Sequence, residues 1–441
     1  MTTTKTTTTT TLLDAATESP RPKHHRAIAA ICLGNALEFY DFLVYSMLAT
    51  LMARLFFPFG DHSLIPLMLS LAVFGTGFVM RPLGGLLIGL YADRVGRKAA
   101  LRLTLWLMAS GSLLFTLAPT YAQAGLLGPA VIILARLVQG FAVGGQIGSS
   151  TTMLMEYADK DSRGYYCSWQ TFSQSLGIAF GGVLVMSLSS LLSAEAMDSW
   201  GWRLVFAVGI LAIPISEYIR HRLPETEVHR KLVRQEPEDE RQLKLLLRHP
   251  RQIVAGVLLV TGATVPIYTI QFYLANHAIS VLHMPLAVAT WAAIFACLPP
   301  LLLSAHAGRL SDRIGRRKSI FWPLPILLIA IYPAFLLVNL YPNILMLLAI
   351  VTVLSIPLTY TIVPNMALLP ELFPARIRVS GMSIAYCIGV AVFGGFTQLF
   401  AAALVSLTGS PNAPAWYMFA AIVLSLAGLK LAPETAGREL D

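Results

Sequence analysis

Apolar residues run along this chain in long blocks separated by short polar or charged stretches. Each block is long enough to cross about 30 Å of hydrocarbon at about 1.5 Å of helix rise per residue. Twelve occur, at approximately residues 27–53, 66–92, 99–118, 125–152, 168–192, 202–220, 251–276, 285–309, 319–338, 343–369, 378–403 and 414–431. The pattern predicts an all-α membrane protein of twelve transmembrane helices. The charged stretch from Arg220 to Arg251 mixes both signs and is punctuated by Pro224 and Pro237, so it reads as a cytoplasmic linker between two six-helix bundles. The expected organisation is a tail over 1–26, a first bundle over 27–220, a linker over 221–250, a second bundle over 251–431 and a short tail over 432–441.

Composition removes the alternative of a large soluble core. Of 441 residues, 56% are hydrophobic and only 12% charged, with a mean hydropathy of +0.67, beyond what a soluble domain of this length accommodates. The net charge of +9 suggests nucleic acid only until its distribution is read. With the N-terminus taken as cytoplasmic, all Lys and Arg residues except Arg54, Arg81, Arg136 and Arg203 fall in or beside segments on that side. Both termini are therefore expected in the cytoplasm, and no nucleic-acid partner is expected. Cys32, Cys167, Cys297 and Cys387 all lie in apolar blocks without a CxxC pair, which argues against disulfides and metal sites. The Thr-rich start lacks the apolar region of a secretory signal and reads as a disordered tail.

Three local patterns occur twice, in the same order. Gly89-Leu-Tyr-Ala-Asp93-Arg94-Val-Gly96-Arg97-Lys98 returns as Gly308-Arg-Leu-Ser-Asp312-Arg313-Ile-Gly315-Arg316-Arg317-Lys318, 219 residues on. Glu156 with Arg163 returns as Glu371 with Arg378 after 215 residues, and Pro224-Glu225-Thr226 as Pro433-Glu434-Thr435 after 209. The two halves are duplicates.

The G-x-x-x-D-R-x-G-R-[RK] repeat resembles the signature of the major facilitator superfamily. Gly34-Asn35-Ala-Leu-Glu38-Phe39-Tyr40-Asp41-Phe42 is similar to the first helix of the bacterial metabolite:proton symporters, G-N-x-L-E-W-[YF]-D-F. The nearest likeness is to citrate and tricarballylate proton symporters. It is carried by the Phe74 to Gly84 segment, by Ser168-Trp169-Gln170 with Ser173-Gln174, and by Leu407-Thr-Gly409 with Pro414-Ala-Trp416-Tyr417. Three places depart from the pattern: Phe39 stands where Trp is frequent, Ala92 where Gly is usual, and Tyr273-Leu-Ala-Asn276-His277 where relatives carry Tyr-x-Pro-Thr-Tyr. The resemblance implies a monomeric inner-membrane carrier without cofactor, moving a small organic anion together with protons by alternating access. It also implies a gating role for Asp93, Arg94, Arg97, Asp312, Arg313, Arg316, Glu156, Arg163, Glu371 and Arg378. An acid at a helix end either pairs with Arg or meets the positive N-terminus of a neighbouring helix, and breaking that contact lets the halves rock. Gly89, Gly96, Gly308 and Gly315 permit the close approach and tight turn this needs.

Charges within the apolar blocks point to the transport chemistry, because each is costly in a bilayer and requires a partner or water. Counted along the helices, Glu38 lies about 16 Å and Asp41 about 20 Å from the cytoplasmic end of the first, and Arg81 about 18 Å from Asp93 along the second. Arg136 is at mid-depth in the fourth, where Gln139 and Gln146 continue a polar stripe. Asp41 is the expected proton carrier and Glu38 its partner, while Arg136 and Arg81 are expected to bind the anion, since a guanidinium donates two parallel hydrogen bonds to a carboxylate. A fixed ion-pair network that only holds the helices together is the competing reading. Gln170 and Gln174 on the fifth helix, Tyr268 and Gln271 on the seventh, and Tyr360 and Asn365 on the tenth complete the expected substrate contacts, with packing as the alternative for each. His277 and His306 read as edge residues rather than proton relays.

No GxxxxGK[ST], HExxH or comparable constellation occurs, so an enzyme is not expected. The rival functions are proton symport of a dicarboxylate, proline or betaine, and exchange without proton coupling.

Overall fold

A computed structural model describes residues 21–58, 65–234, 242–274, 277–278, 282, 284 and 286–439. Twelve helices in it are long and apolar enough to cross a membrane: α1 (His25–Met47), α2 (Met68–Val95), α3 (Arg97–Leu117), α4 (Leu127–Glu156), α5 (Arg163–Leu191), α6 (Ala194–Arg222), α7 (Pro250–Tyr273), α8 (Thr290–Ile314), α9 (Arg316–Leu340), α10 (Ile344–Glu371), α11 (Ala375–Thr408) and α12 (Pro414–Leu431). No strand occurs among the described residues, as expected where every backbone polar group must be satisfied within its own segment.

The duplication seen in the sequence is repeated in the packing. Within the first half α1 lies along α5, and α4 along both α2 and α3; within the second, α7 lies along α11, and α10 along both α8 and α9. Two long seams, α2 against α11 and α5 against α8, join the halves, and each is the counterpart of the other under the repeat. Small residues set the separations. A methyl group added at Gly84 of α2 would lie 1.9 Å from the carbonyl oxygen of Phe141 on α4, and one at Gly89 would lie 2.7 Å from Cα of Ser380 across the α2–α11 seam. Apolar packing gives little net driving force between helices in lipid, so such close backbone approach is what holds the bundle.

Several boundaries differ from the sequence expectation. The first block is broken: helix ends at Met47, and a separate short helix, Ala49–Phe56, follows. Residues 21–26, assigned to a disordered tail, are helical, whereas 1–20 lie outside the described residues. The linker carries two short helices, Glu227–Arg234 and Gln242–Leu247. Segments wound with a wider π turn occur in α7, over Thr269–Tyr273 just after Pro266, and in α11, over Gly389–Gly394. A proline withdraws one rung of the helical ladder, and the wider turn is one way to absorb the mismatch.

Candidate functional site

A narrow cavity lies between the halves and is walled mainly by the first: Glu38, Phe39, Asp41 and Phe42 from α1, Phe74, Phe78 and Arg81 from α2, Met108 from α3, and Arg136, Gln139 and Val143 from α4, with Tyr268 from α7. Glu38 and Asp41 reach the same wall because they stand three residues apart on one helix face. The Asp41 carboxylate is 2% exposed. Its Oδ2 accepts from the hydroxyl of Ser112 at 2.6 Å and from the amide of Gln139 at 3.1 Å. Gly209 of α6 leaves room for that oxygen, since a methyl group there would stand 2.8 Å from it.

The arginines are held by aromatic faces rather than by acids. The guanidinium carbon of Arg136 sits 3.9 Å from the ring centre of Tyr45 and 4.8 Å from that of Phe115; that of Arg81 sits 4.3 Å from Phe78 and 5.4 Å from Phe42. Arg136 Nη1 donates to Gln139 Oε1 at 3.0 Å. Gln139 therefore bridges Asp41 and Arg136, in place of a direct ion pair of the kind a fixed network would need. Arg136 Nε and Nη2, Arg81 Nε, Glu38 Oε2 and Asp41 Oδ1 are buried without a protein partner. Stacking on a ring neutralises part of the cost of a buried guanidinium while leaving its edge free to donate.

The remaining candidates are elsewhere. Gln170 exchanges hydrogen bonds with Asn35, accepting at its backbone oxygen at 3.0 Å and donating to Asn35 Oδ1 at 2.9 Å, so it pins α5 to α1 rather than lining the cavity. Gln146 donates to the backbone oxygen of Gly34 at 3.2 Å. Tyr360 hydroxyl pairs at 2.7 Å with the ring of exposed His306 on α8, and His277 lies 2.8 Å from Asn339 of α9. Gln174, Gln271 and Asn365 do not line the cavity either, although the Asn365 side chain is fully buried in α10 with both amide atoms unpartnered. Ser112, Tyr45 and Phe78 were not singled out from the sequence. Their spacing signals only apolar helix, and nothing in it marks which face meets the arginines.

At the end of the bundle that carries the repeated motif, the halves are joined by a duplicated polar network. Asp93 accepts from the backbone N–H groups of Val379 and Ser380 at 3.2 and 2.9 Å, at the start of the α11 turns in the other half. Its counterpart Asp312 accepts from Gly164 and Tyr165 at 2.7 and 2.9 Å, at the start of α5. Each carboxylate thus meets the positive end of a helix across the seam. Glu156 binds Arg97 of its own half and Arg378 of the other, with Arg378 at 3.1 Å; Glu371 binds Arg316 at 3.2 Å and faces Arg163 at 3.9 Å. Arg94 and Arg313, the neighbours of the two aspartates, are exposed and stand outside this network; Arg97 and Arg316, one turn on, are fully buried in it. Gly96 and Gly315 make the turns into α3 and α9 with φ of 126° and 96°, where a side chain would be strained.

The repeated Pro-Glu-Thr segments close the same turns. Glu225 accepts from the backbone N–H of Lys98, and Glu434 from those of Arg316 and Arg317 at 2.8 and 3.0 Å. Burial alone would raise the Glu434 carboxyl, but N–H donations from Ala436, Arg316, Arg317 and Thr435 together hold it below its ordinary value. In the linker, His229 is 5% exposed, with Nδ1 3.0 Å from Arg97 Nη1. Burial and the adjacent Arg97 cation depress its pKa, opposed by Glu225 and Glu156.

The profile of the sugar (and other) transporter family matches the chain twice, over residues 27–245 and 226–441, one match for each half. The citrate-proton symporter of Salmonella typhi is 34% identical over 402 residues, covering 91% of this chain and 92% of that protein. The proline/betaine transporter of Salmonella typhimurium is 30% identical over 435 residues, covering 95% and 85%. Among solved structures, a proton:xylose symporter of the major facilitator superfamily superposes with a TM-score of 0.78 at 18% identity, over 95% of this chain and 98% of that one.

Proposed function

The chain belongs to the sugar (and other) transporter family of the major facilitator superfamily, and from that membership we propose that it is a proton-coupled symporter of a small organic anion, a tricarboxylate such as citrate or tricarballylate. The observation that carries the reading is the pair of arginines on the cavity wall, Arg81 and Arg136, with buried donors that no protein group takes up. A multiply charged carboxylate would engage those edges, while Tyr268 faces it from the second half. Its arrival removes cationic support from the nearby acids, so substrate and proton binding favour one another. Asp41, reached through Gln139, is the proton carrier in this scheme and Glu38 its partner. With both termini in the cytoplasm, the joined network closes the path to the cytoplasm, and its separation completes alternating access.

The similarity to proline/betaine transporters raises the zwitterion as a second substrate class. Phe42, Phe74 and Phe78 could in principle form an aromatic cage for a quaternary ammonium. Arg81 already covers Phe42 and Phe78, and Arg136 lies 5.9 Å from Phe74. A ligand cation would therefore meet two guanidinium charges, which favours the anion. Uptake of labelled citrate, tricarballylate, proline and betaine by proteoliposomes with an acidic exterior tests the assignment. Accumulation of a tricarboxylate is expected; accumulation of proline or betaine alone would overturn it.

A further inference from the structure

At the motif-bearing end of the second half, a separate cavity of about 320 Å3 opens where α7 begins, α9 begins and α12 ends. Arg251, Arg317 and Lys430 line it, one from each helix, with Gln252 beside them and Ala255 and Leu431 among the apolar walls. Arg251 is the second residue of α7, Arg317 the second of α9 and Lys430 the last but one of α12. The three cations therefore stand at one level, where hydrocarbon gives way to headgroups, and all three are exposed. Among the described residues that line the cavity there is no acid. Glu434, at the start of α9, is already occupied by backbone N–H groups.

We infer that this cavity is a binding site for the phosphate headgroup of an anionic phospholipid. A basic pocket between helices at this level gives a phosphodiester several cationic donors, and each adds to its attraction. Beside the cations, Ala255, Leu372, Leu431 and Ala432 give an acyl chain an apolar surface. A free phosphate would use the cations but not those walls, so a membrane lipid accounts for both parts of the lining. The site takes no part in the central cavity, and the proposal stands whichever solute that cavity carries.

The test is titration of the detergent-purified full-length protein with phosphatidylglycerol or phosphatidylcholine of identical acyl chains, read by native mass spectrometry. The R251Q/R317Q/K430Q variant is the probe; it keeps the backbone N–H groups that Glu434 accepts. Its control, K160Q/R230Q/K231Q, removes equal charge from exposed positions outside the cavity. Phosphatidylglycerol is expected to be retained in preference to phosphatidylcholine, and the probe variant to lose at least about tenfold in affinity while the control does not. If the triple variant does not fold, R251Q and K430Q are tested singly, each with an expected loss of about fivefold. Equal retention by wild type and variants, an equal loss in the control, or no preference for the anionic lipid would overturn the site. Displacement of the lipid by an equal concentration of inorganic phosphate would assign the cavity to a soluble anion and overturn the lipid.

Discussion

Gln139 stands between Asp41 and Arg136: its amide nitrogen donates to Asp41 Oδ2 at 3.1 Å and its amide oxygen accepts from Arg136 Nη1 at 3.0 Å. Acid and cation belong to different helices, α1 and α4, yet one neutral side chain lets each sense the other. This arrangement suits a carrier better than a direct buried pair, which gains little net stability and must be broken before either member can act.

The bridge makes a prediction about coupling. A double-mutant cycle with Asp41→Asn and Arg136→Gln should give an interaction energy of about 0.5–3 kcal/mol in the native background. The same cycle in a Gln139→Leu background should give a smaller value, the through-space attraction between the two charges remaining. Thermal or denaturant unfolding in detergent reads both cycles. An undiminished coupling without Gln139 would mean that the bridge carries none of it.

Substrate affinity should divide along the same line. Arg136→Gln removes an anion donor and is expected to weaken tricarboxylate binding by about 2–5 kcal/mol. Asp41→Asn retains an acceptor for Ser112 and is expected to leave equilibrium binding largely intact. Isothermal titration of the two purified variants checks the division, and the reverse order of losses would exchange the two roles.

At the motif-bearing end, severity should follow whether a buried arginine is left without a close acid. Asp93→Asn and Asp312→Asn each weaken two charge-assisted bonds to a helix N-terminus, worth about 1–3 kcal/mol, and loosen the contact to Arg97 or Arg316, each of which keeps Glu156 or Glu371. Glu156→Gln leaves Arg97 and Arg378 buried without their shared acid and should cost about 3–5 kcal/mol. Spin labels at exposed Lys160 and Lys318, one on each half, should report longer distances in all three variants, most of all in Glu156→Gln. Unchanged distances would show that the network does not hold the halves together.

The twelve blocks, the duplicated halves and the charges of α1, α2 and α4 were all legible in the sequence, because length, repetition and buried charge each leave a one-dimensional signal. Which way a helix faces left none. A helix among lipid and other helices is apolar almost all round, so Gln139 facing the cavity and Gln170 facing Asn35 read alike. The Pro-Glu-Thr repeat was visible as a repeat, but its work on the turns at Gly96 and Gly315 depends on contacts more than a hundred residues away. The motif put Arg94 and Arg313 beside Arg97 and Arg316 as gating residues alike, whereas helical geometry gives the contact to the aspartate only to the residue four positions on, Arg97 or Arg316.

His229 gives the network a dependence on pH. Its pKa is depressed in the folded protein, so the folded state resists protonation that the unfolded chain accepts. Its contribution to stability is full above the ordinary histidine value of about 6.5 and is lost as pH falls from there through the depressed value. His229→Gln should flatten the loss of unfolding midpoint on acidification from about pH 7 to 5. An unaltered pH profile in that variant would remove His229 from the network's titration.

The most direct test of proton-coupled anion symport is the pH inside proteoliposomes when substrate is added outside without an imposed gradient. A trapped pH-sensitive dye should report acidification of the interior when citrate or tricarballylate enters the wild-type vesicles. In Asp41→Asn vesicles the dye should stay silent while labelled substrate still exchanges across the membrane. Entry of labelled tricarboxylate into wild-type vesicles with no acidification, at a rate indifferent to a protonophore, would contradict the account.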